Sequence, residues 1–350
     1  MKRKRIRARR STGPLMATLM AQSGIDSHGI GRFKPIYVDR IDQGILSPVT
    51  RIEVVSEGPT TAVLDGHNGM GHVVAKRAMQ LAIDKARAYG TGMVAVRNSS
   101  HYGIAGYYAG MCADAGMIGI TGTNARPSIA PTFGVENVLG TNPLTIAFPT
   151  DEPFPFNIDC ATSISQRGKI EAYERAGKPL PPGWVVGRDG QTLTDPKTVL
   201  DALTRGACAL TPLGGIGEET AGYKGYGYAT AVEVLSAALS NARFTKDLTG
   251  TDADGRKIPY RLGHFFIAVN IASFIDPALF KTIAGTILRQ LRASEKAAGA
   301  ERIYTAGEKE WIAWEIRKVR GIPVPPVLRR QLSALNARFA LNYAFSWERP

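Results

Sequence analysis

TAVLDGHNGMGHVVAKRAMQLAIDKARAYGTGMVAV, residues 61–96 of this 350-residue chain, decides the fold class. TAVLD reads as a strand, and the glycines of GHNGMG end it in a turn. Ala75, Met79, Ala82, Ala86 and Tyr89 then recur at alternating four- and three-residue steps, the spacing of one helical face. Gly90 is placed to stop that helix, and MVAV returns as a second strand. The pattern repeats with a helix over 104–115, closed by Gly116, and a strand in MIGITG at 117–122. Alternating strands and helices predict an α/β protein.

Working outward, further strands are expected at 145–148, 156–159 and 263–269. Long helices are expected near 226–240, 277–298 and 308–320, with Gly321 and Pro323 as the stop of the last. A final amphipathic helix is read in PPVLRRQLSALNARF at 325–339. The terminal regions are thus helix-rich, and the glycine-rich middle carries most strands.

A chain of this length with 44% hydrophobic residues can bury a large core, and its size favours two domains. Three cysteines, Cys112, Cys160 and Cys208, lie far apart without metal-ligand spacing, so a reduced cytoplasmic protein is expected. The net charge of +13 invites a nucleic-acid reading, but seven of those charges fall in the first ten residues, leaving +6 over the rest. No aromatic residue interleaves with that run, so it reads as a solvated tail with no specific nucleic-acid partner. The tail also imitates a signal peptide. However, the apolar part, PLMATLMA, is minimal and broken by Thr18, and cleavage there would strip the chain back to Asp26–His28. The longest apolar stretch, HFFIAVNIASFI at 264–275, is too short for a membrane span.

Gly66–Gly71 imitates a dinucleotide fingerprint, but its glycines fall as GxxGxG, and no acid ends the following strand; a structural turn is the better reading. Three other segments offer backbone-rich anion cradles: DCATSIS at 159–165, GYKGYGYA at 222–229, where Lys224 could meet a phosphate, and TAGEKEW at 305–311. An ordinary helix start explains any one of them; their joint occurrence is more telling.

Of five histidines, His67 and His72 have the wrong spacing for two ligands on a helical face, so no metal site is expected. His264, in HFFIAV, reads as a core or interface residue. His28, in DSHGIGR, and His101, in NSSHYG, lie in polar loops beside hydroxyls and a glycine. An imidazole with a reference pKa of about 6.5 suits proton transfer. Arg32, four residues past His28, supplies a fork for a carboxylate. A serine hydrolase using Ser27 or Ser100 is the rival, but there is no GxSxG elbow, and a serine adjacent to its histidine makes a poor triad.

These ordered motifs, with GTNPL, TPLGG and the later RGIP, resemble the malate/L-lactate dehydrogenase family, whose cofactor fold is not of the Rossmann type. The resemblance runs from about Gly24 to near Pro323. It implies a mixed-sheet NAD(P)-binding domain over 91–307 and a helix-rich substrate and dimerisation domain from 24–90 and 308–350, preceded by a basic, disordered or atypical lead at 1–23. It implies hydride transfer between NAD or NADP and a 2-hydroxy acid/2-oxo acid pair, with reduction of a cyclic imino acid as the alternative. A homodimer is the family precedent. His28 is implied as proton donor/acceptor supported by Ser27, with His101 as the second histidine and Arg32 on the substrate carboxylate. Arg126, in TNARPS, is a candidate for a second acidic group, which favours malate-like substrates. Asp159, Cys160, Ala161, Thr162, Ser163, Lys224, Gly225, Gly307, Glu308 and Lys309 match the family's cofactor contacts. Two departures are visible: the lead before DSHG is short, and GWVVGRDG carries Gly187 where the family often has an acid.

Overall fold

The computed structural model describes residues 5–7 in backbone only, 23–25, and 28–348. Its centre is an eight-stranded sheet built from β1 (Arg5–Arg7), β2 (Arg51–Glu57), β3 (Thr61–Asp65), β4 (Thr91–Ser99), β5 (Met117–Thr123), β6 (Leu144–Phe148), β7 (Phe156–Cys160) and β10 (Leu262–Asn270). The order is β1-β2-β3-β4-β10-β5-β6-β7. Only β3 and β4 run parallel; every other neighbouring pair is antiparallel. A doubly wound dinucleotide fold has a mostly parallel sheet, so this is the mixed, non-Rossmann α/β architecture expected. β8 (Val185–Gly187) and β9 (Cys208–Leu210) form a separate ribbon.

Nine α-helical segments stand among the described residues: α1 (Asp39–Asp42), α2 (Gly71–Tyr89), α3 (Gly106–Asp114), α4 (Arg167–Arg175), α5 (Pro196–Arg205), α6 (Gly222–Ala237), α7 (Pro277–Ala293), α8 (Glu308–Arg320) and α9 (Pro326–Arg338). The predicted apolar face of α2 is buried through Ala75, Met79, Ala82 and Ala86 against Val94, Val96 and Phe266; Tyr89, the fifth residue of that pattern, is exposed at the helix end. Gly92 lets α2 close onto the sheet, because a Cβ there would strike the Ala82 carbonyl and lie 2.9 Å from the Lys85 Cβ. A second core (Ile129, Ile170, Leu180, Val185, Val199 and Leu210) sits under α4, α5 and the β8–β9 ribbon.

Three expectations are corrected in detail. α6 begins at Gly222 rather than near 226, so the Gly-Lys-Gly turn lies inside its first turn. α7 ends at Ala293, where Ser294 turns extended, rather than at 298. β2, β8 and β9 were not anticipated. The basic lead, expected as a disordered or atypical segment, contributes edge strand β1 against β2. Across residue 90 the sheet is continuous: β3 pairs with β4, and α2 packs on β4 and β10. Contacts link the two terminal regions: a Cβ on Gly24 would lie 2.9 Å from that of Ala313 in α8, and Arg338 makes a two-pronged pair with Asp42 at 2.8 Å.

Candidate active site

His101 follows the end of β4 and is held there by the glycine turn that imitated a fingerprint. The Ser100 hydroxyl accepts from Gly71 N–H at 2.8 Å and donates to the Gly69 carbonyl at 2.8 Å. A Cβ on Gly71 would collide with the Ser100 carbonyl and come within 2.6 Å of that of His101. GHNGMG, read from the sequence as a structural turn, is a clamp on the histidine loop. His28 arrives from the opposite side of the sequence, just before a 3-10 turn (Ile30–Arg32) and a π-turn (Phe33–Val38) that run into α1. The two rings stack, with centroids 5.8 Å apart and planes 13° from parallel. Ser27 and Asp26 lie outside the described residues.

The hydrogen bonds at His101 settle its tautomer. Gly103 N–H, which can only donate, points at Nδ1 from 3.2 Å. The Tyr37 hydroxyl is 3.1 Å from the same atom and must therefore donate too. Nδ1 is bare, and the proton of the neutral ring sits on Nε2. Burial, and then the nearby charges of His28, Arg40 and Arg32, hold the His101 pKa well below its ordinary value. Burial, then Arg32, also lowers that of His28. Burial thus favours the neutral form of both rings, and His101 is held as an Nε2–H donor.

Arg32 is close enough to His28 to shift it, and its Nη2 would lie 3.7 Å from a Cβ on Gly168, so the guanidinium reaches the start of α4. Arg126 is exposed but within charge range of Arg40. Two members of the constellation, Tyr37 and Arg40, were missed in the sequence. Tyr37 is buried, bonds His101, and meets His72 edge-on at 5.4 Å. Arg40 stacks its guanidinium 4.5 Å above the Tyr260 ring. The available signal was helical spacing, since Phe33, Tyr37 and Arg40 fall at i, i+4 and i+7.

The three cradles lie in one run along β7 and its exit. A Cβ on Gly307 would be 2.7 Å from the Pro155 carbonyl and 3.1 Å from Asn157 N, placing the 305–311 turn against the start of β7. At the other end, Leu213 N–H donates to the Thr162 carbonyl at 2.9 Å, and Ser163 bridges to Pro212. Gly225 packs against the same loop, where a Cβ would collide with the Leu213 carbonyl. Among the described residues the Ser163 hydroxyl is buried without a protein partner, and Lys224 and Lys309 are exposed cations lying over the rings of Tyr223 and Tyr304. Backbone-lined glycine turns, an orphaned hydroxyl and two lysines fit a phosphate-bearing dinucleotide.

Within that run some side chains face inward. The Asp159 carboxylate accepts from Gly106 N–H at 2.7 Å and the Thr145 hydroxyl at 3.1 Å, and burial raises its pKa. Thr162 donates to the carbonyls of Thr141 and Asn142. Glu308 pairs with Arg302 and accepts from Thr305 N–H at 3.1 Å. The side chains of Thr162 and Glu308 are turned to the protein, whereas Asp159, though hydrogen-bonded, remains exposed. Cys160 and Ala161 are half-buried between them.

The remaining histidines do other work. His264 is buried, bonded through Nδ1 to the Thr123 hydroxyl at 2.6 Å and stacked on Tyr102 at 4.6 Å, a core residue. His67 pairs with Glu53 at 3.0 Å. Among the described residues no group of three or more histidines, cysteines or acids is arranged to hold a metal, and no helix is long and apolar enough to cross a membrane.

The sequence model of the family described as malate/L-lactate dehydrogenase matches residues 12–333. A malate dehydrogenase of Pyrococcus horikoshii is 43% identical over 313 residues, 89% of this chain and 83% of the relative. An L-sulfolactate dehydrogenase of Methanocaldococcus jannaschii is 40% identical over 319 residues, 91% of this chain and 87% of the relative. The crystal structure of a malate dehydrogenase from Entamoeba histolytica superposes with a TM-score of 0.92 at 43% identity, covering 96% of this chain and 93% of that one. With its clamped histidine pair and its run of glycine cradles on a mixed sheet, the chain belongs to the malate/L-lactate dehydrogenase family.

Proposed function

We propose that this protein is a dehydrogenase interconverting a 2-hydroxy acid, malate-like, and its 2-oxo acid with NAD or NADP. The observation that carries the reading is the stacked His28–His101 pair, with the His101 tautomer fixed by two donors and Arg32 alongside. A nicotinamide held there would supply or accept the hydride at C2. Neutral His28 takes the hydroxyl proton as the alcohol is oxidised and returns it in reduction. The Nε2–H of His101 donates a hydrogen bond to the same oxygen, which carries growing negative charge. Arg32 holds the adjoining carboxylate in its fork, fixing which face of C2 is presented.

Asp159 to Ser163 and Gly225 would meet the cofactor through backbone groups and the Ser163 hydroxyl. Lys224 and Lys309 would meet its phosphates, and Gly307, at the start of the helix carrying Glu308, would let the backbone approach them closely. The homodimer is proposed from the exposed apolar stripe on α7. A reducing, cytoplasmic setting is consistent with three free cysteines.

The test is turnover of malate, sulfolactate, lactate and Δ1-piperideine-2-carboxylate with both cofactors, in wild type, His28→Ala and His101→Ala. Each variant should lose roughly 10²–10⁴-fold in kcat on the best substrate. Undiminished turnover in both would refute the assignment.

A further inference from the structure

Resting on that reading, we infer that Arg40, braced on the ring of Tyr260, is the residue that receives the substrate's second acidic group and sets the preference for dianionic 2-hydroxy acids. Four observations carry it. First, among the described residues Arg40 has no acidic partner, although acids flank it. Asp39 accepts from Lys34 at 2.7 Å, and Asp42 is engaged by Arg338 at 2.8 Å. Both nearby carboxylates are turned to other cations, leaving a half-buried guanidinium uncompensated, a costly state that an incoming anion relieves.

Second, Arg40 is fixed in place. Its guanidinium lies 4.5 Å from the Tyr260 ring centroid, and that ring is packed onto Gly250, where a Cβ would be 2.6 Å from Cζ. Stacking steadies the fork without neutralising its charge, and its in-plane N–H groups stay free to meet a carboxylate or sulfonate edge-on. Third, Arg40 belongs to the reacting centre. It follows Tyr37 by three residues on the same helical segment, Tyr37 bonds His101, and the charge of Arg40 is felt at His101. Arg32 and Arg40 both lie within charge range of His101, so each guanidinium can address one acidic group of a diacid bound there.

Fourth, Arg126 stands within charge range of Arg40, and among the described residues it too has no acidic partner. Two like charges converging without an acid between them define a place for an anion. Arg126 is exposed, so water and salt weaken its pull, whereas the sheltered Arg40 acts through a lower effective dielectric. Arg40 is the anchor and Arg126 the rim.

The test compares wild type, Arg40→Met and Arg126→Gln on L-malate and L-lactate, with thermal-shift titrations of succinate and butyrate in the presence of cofactor. For Arg40→Met the ratio of malate to lactate kcat/KM should fall about tenfold or more, carried by the malate KM. The succinate shift should shrink while the butyrate shift does not. Arg40→Lys should restore part of the malate preference, which a merely structural residue would not do. A ratio unchanged within about twofold, or equal losses on malate and lactate, would overturn the assignment. Wild type inert toward every hydroxy acid would instead strike the underlying function; the succinate titration still reads Arg40 in that case.

Discussion

His101 cannot take a proton on Nδ1 without losing two hydrogen bonds at once, one from Gly103 N–H and one from the Tyr37 hydroxyl. That asymmetry divides the labour between two histidines that look interchangeable in sequence. Tyr37→Phe keeps the backbone donor and the ring's bulk, so the tautomer survives but the imidazole loses its lateral restraint. The expected result is a kcat loss of about ten- to a hundredfold with little change in KM, measured under saturating cofactor. The pH profile follows from His28. Burial and Arg32 place its folded pKa below 6.5, and oxidation needs the neutral ring. Hydroxy-acid oxidation should therefore be at full rate at pH 7 and decline only as acidity carries His28 through its lowered pKa. An acid limb centred above 6.5 in kcat/KM would contradict this assignment. His28, Arg32 and His101 were legible because polar side chains beside glycines stand out from any periodic pattern. Tyr37 and Arg40 were not, because at helical spacing they look like an ordinary amphipathic turn.

The clamp of the Gly66–Gly71 turn on the His101 loop shows what an element can and cannot declare in sequence. A glycine turn between a strand and a helix was readable from residues 61–96 alone. Its partner was not, since Ser100 lies 29 residues from Gly71 and nothing local records the contact. Gly71→Ala should separate these roles. The new methyl overlaps the Ser100 carbonyl and crowds that of His101, so the α2 start must retreat from the His101 loop. Overpacking of this kind costs roughly 1–3 kcal/mol, visible as a lower urea midpoint. Activity should fall further than the folded fraction does; a variant with wild-type kcat would show that the clamp does not position His101. The unread strands have their own reasons. β2 buries only Ile52 fully, and an irregularity between Val54 and Ser56 interrupts its pairing with β3, erasing the two-residue alternation. β8 and β9, three residues each, exist only by pairing across more than twenty residues.

At the scale of the molecule, one sheet holds both parts of the proposed site: β4, in its interior, ends at the histidine loop, and β7, at one edge, carries the turns proposed for the cofactor. The placement of α7 on this frame is rigid. Arg289 grips Asp151 and Glu152, each at 2.9 Å, and Arg292 reaches Glu152 at 2.7 Å, while Ala284, Gly285 and Leu288 are buried beneath. The outer stripe of that helix, Leu279, Ile283, Ile287 and Leu291, is left about half exposed. Ion pairs that hold a helix with its aliphatic row outward leave that row for another surface, and a symmetric second copy is the simplest partner. A long helix near 277–298 was legible, but helical pattern alone does not show which face the protein's own core covers. Charging the stripe decides the matter. Ile283→Glu with Ile287→Glu faces solvent in a monomer and should leave the fold intact, yet it places carboxylates in an apolar contact if two copies meet there. Light scattering should give the mass of two chains for wild type and of one for the double variant. A variant that remains a dimer would move the contact to another face of the molecule.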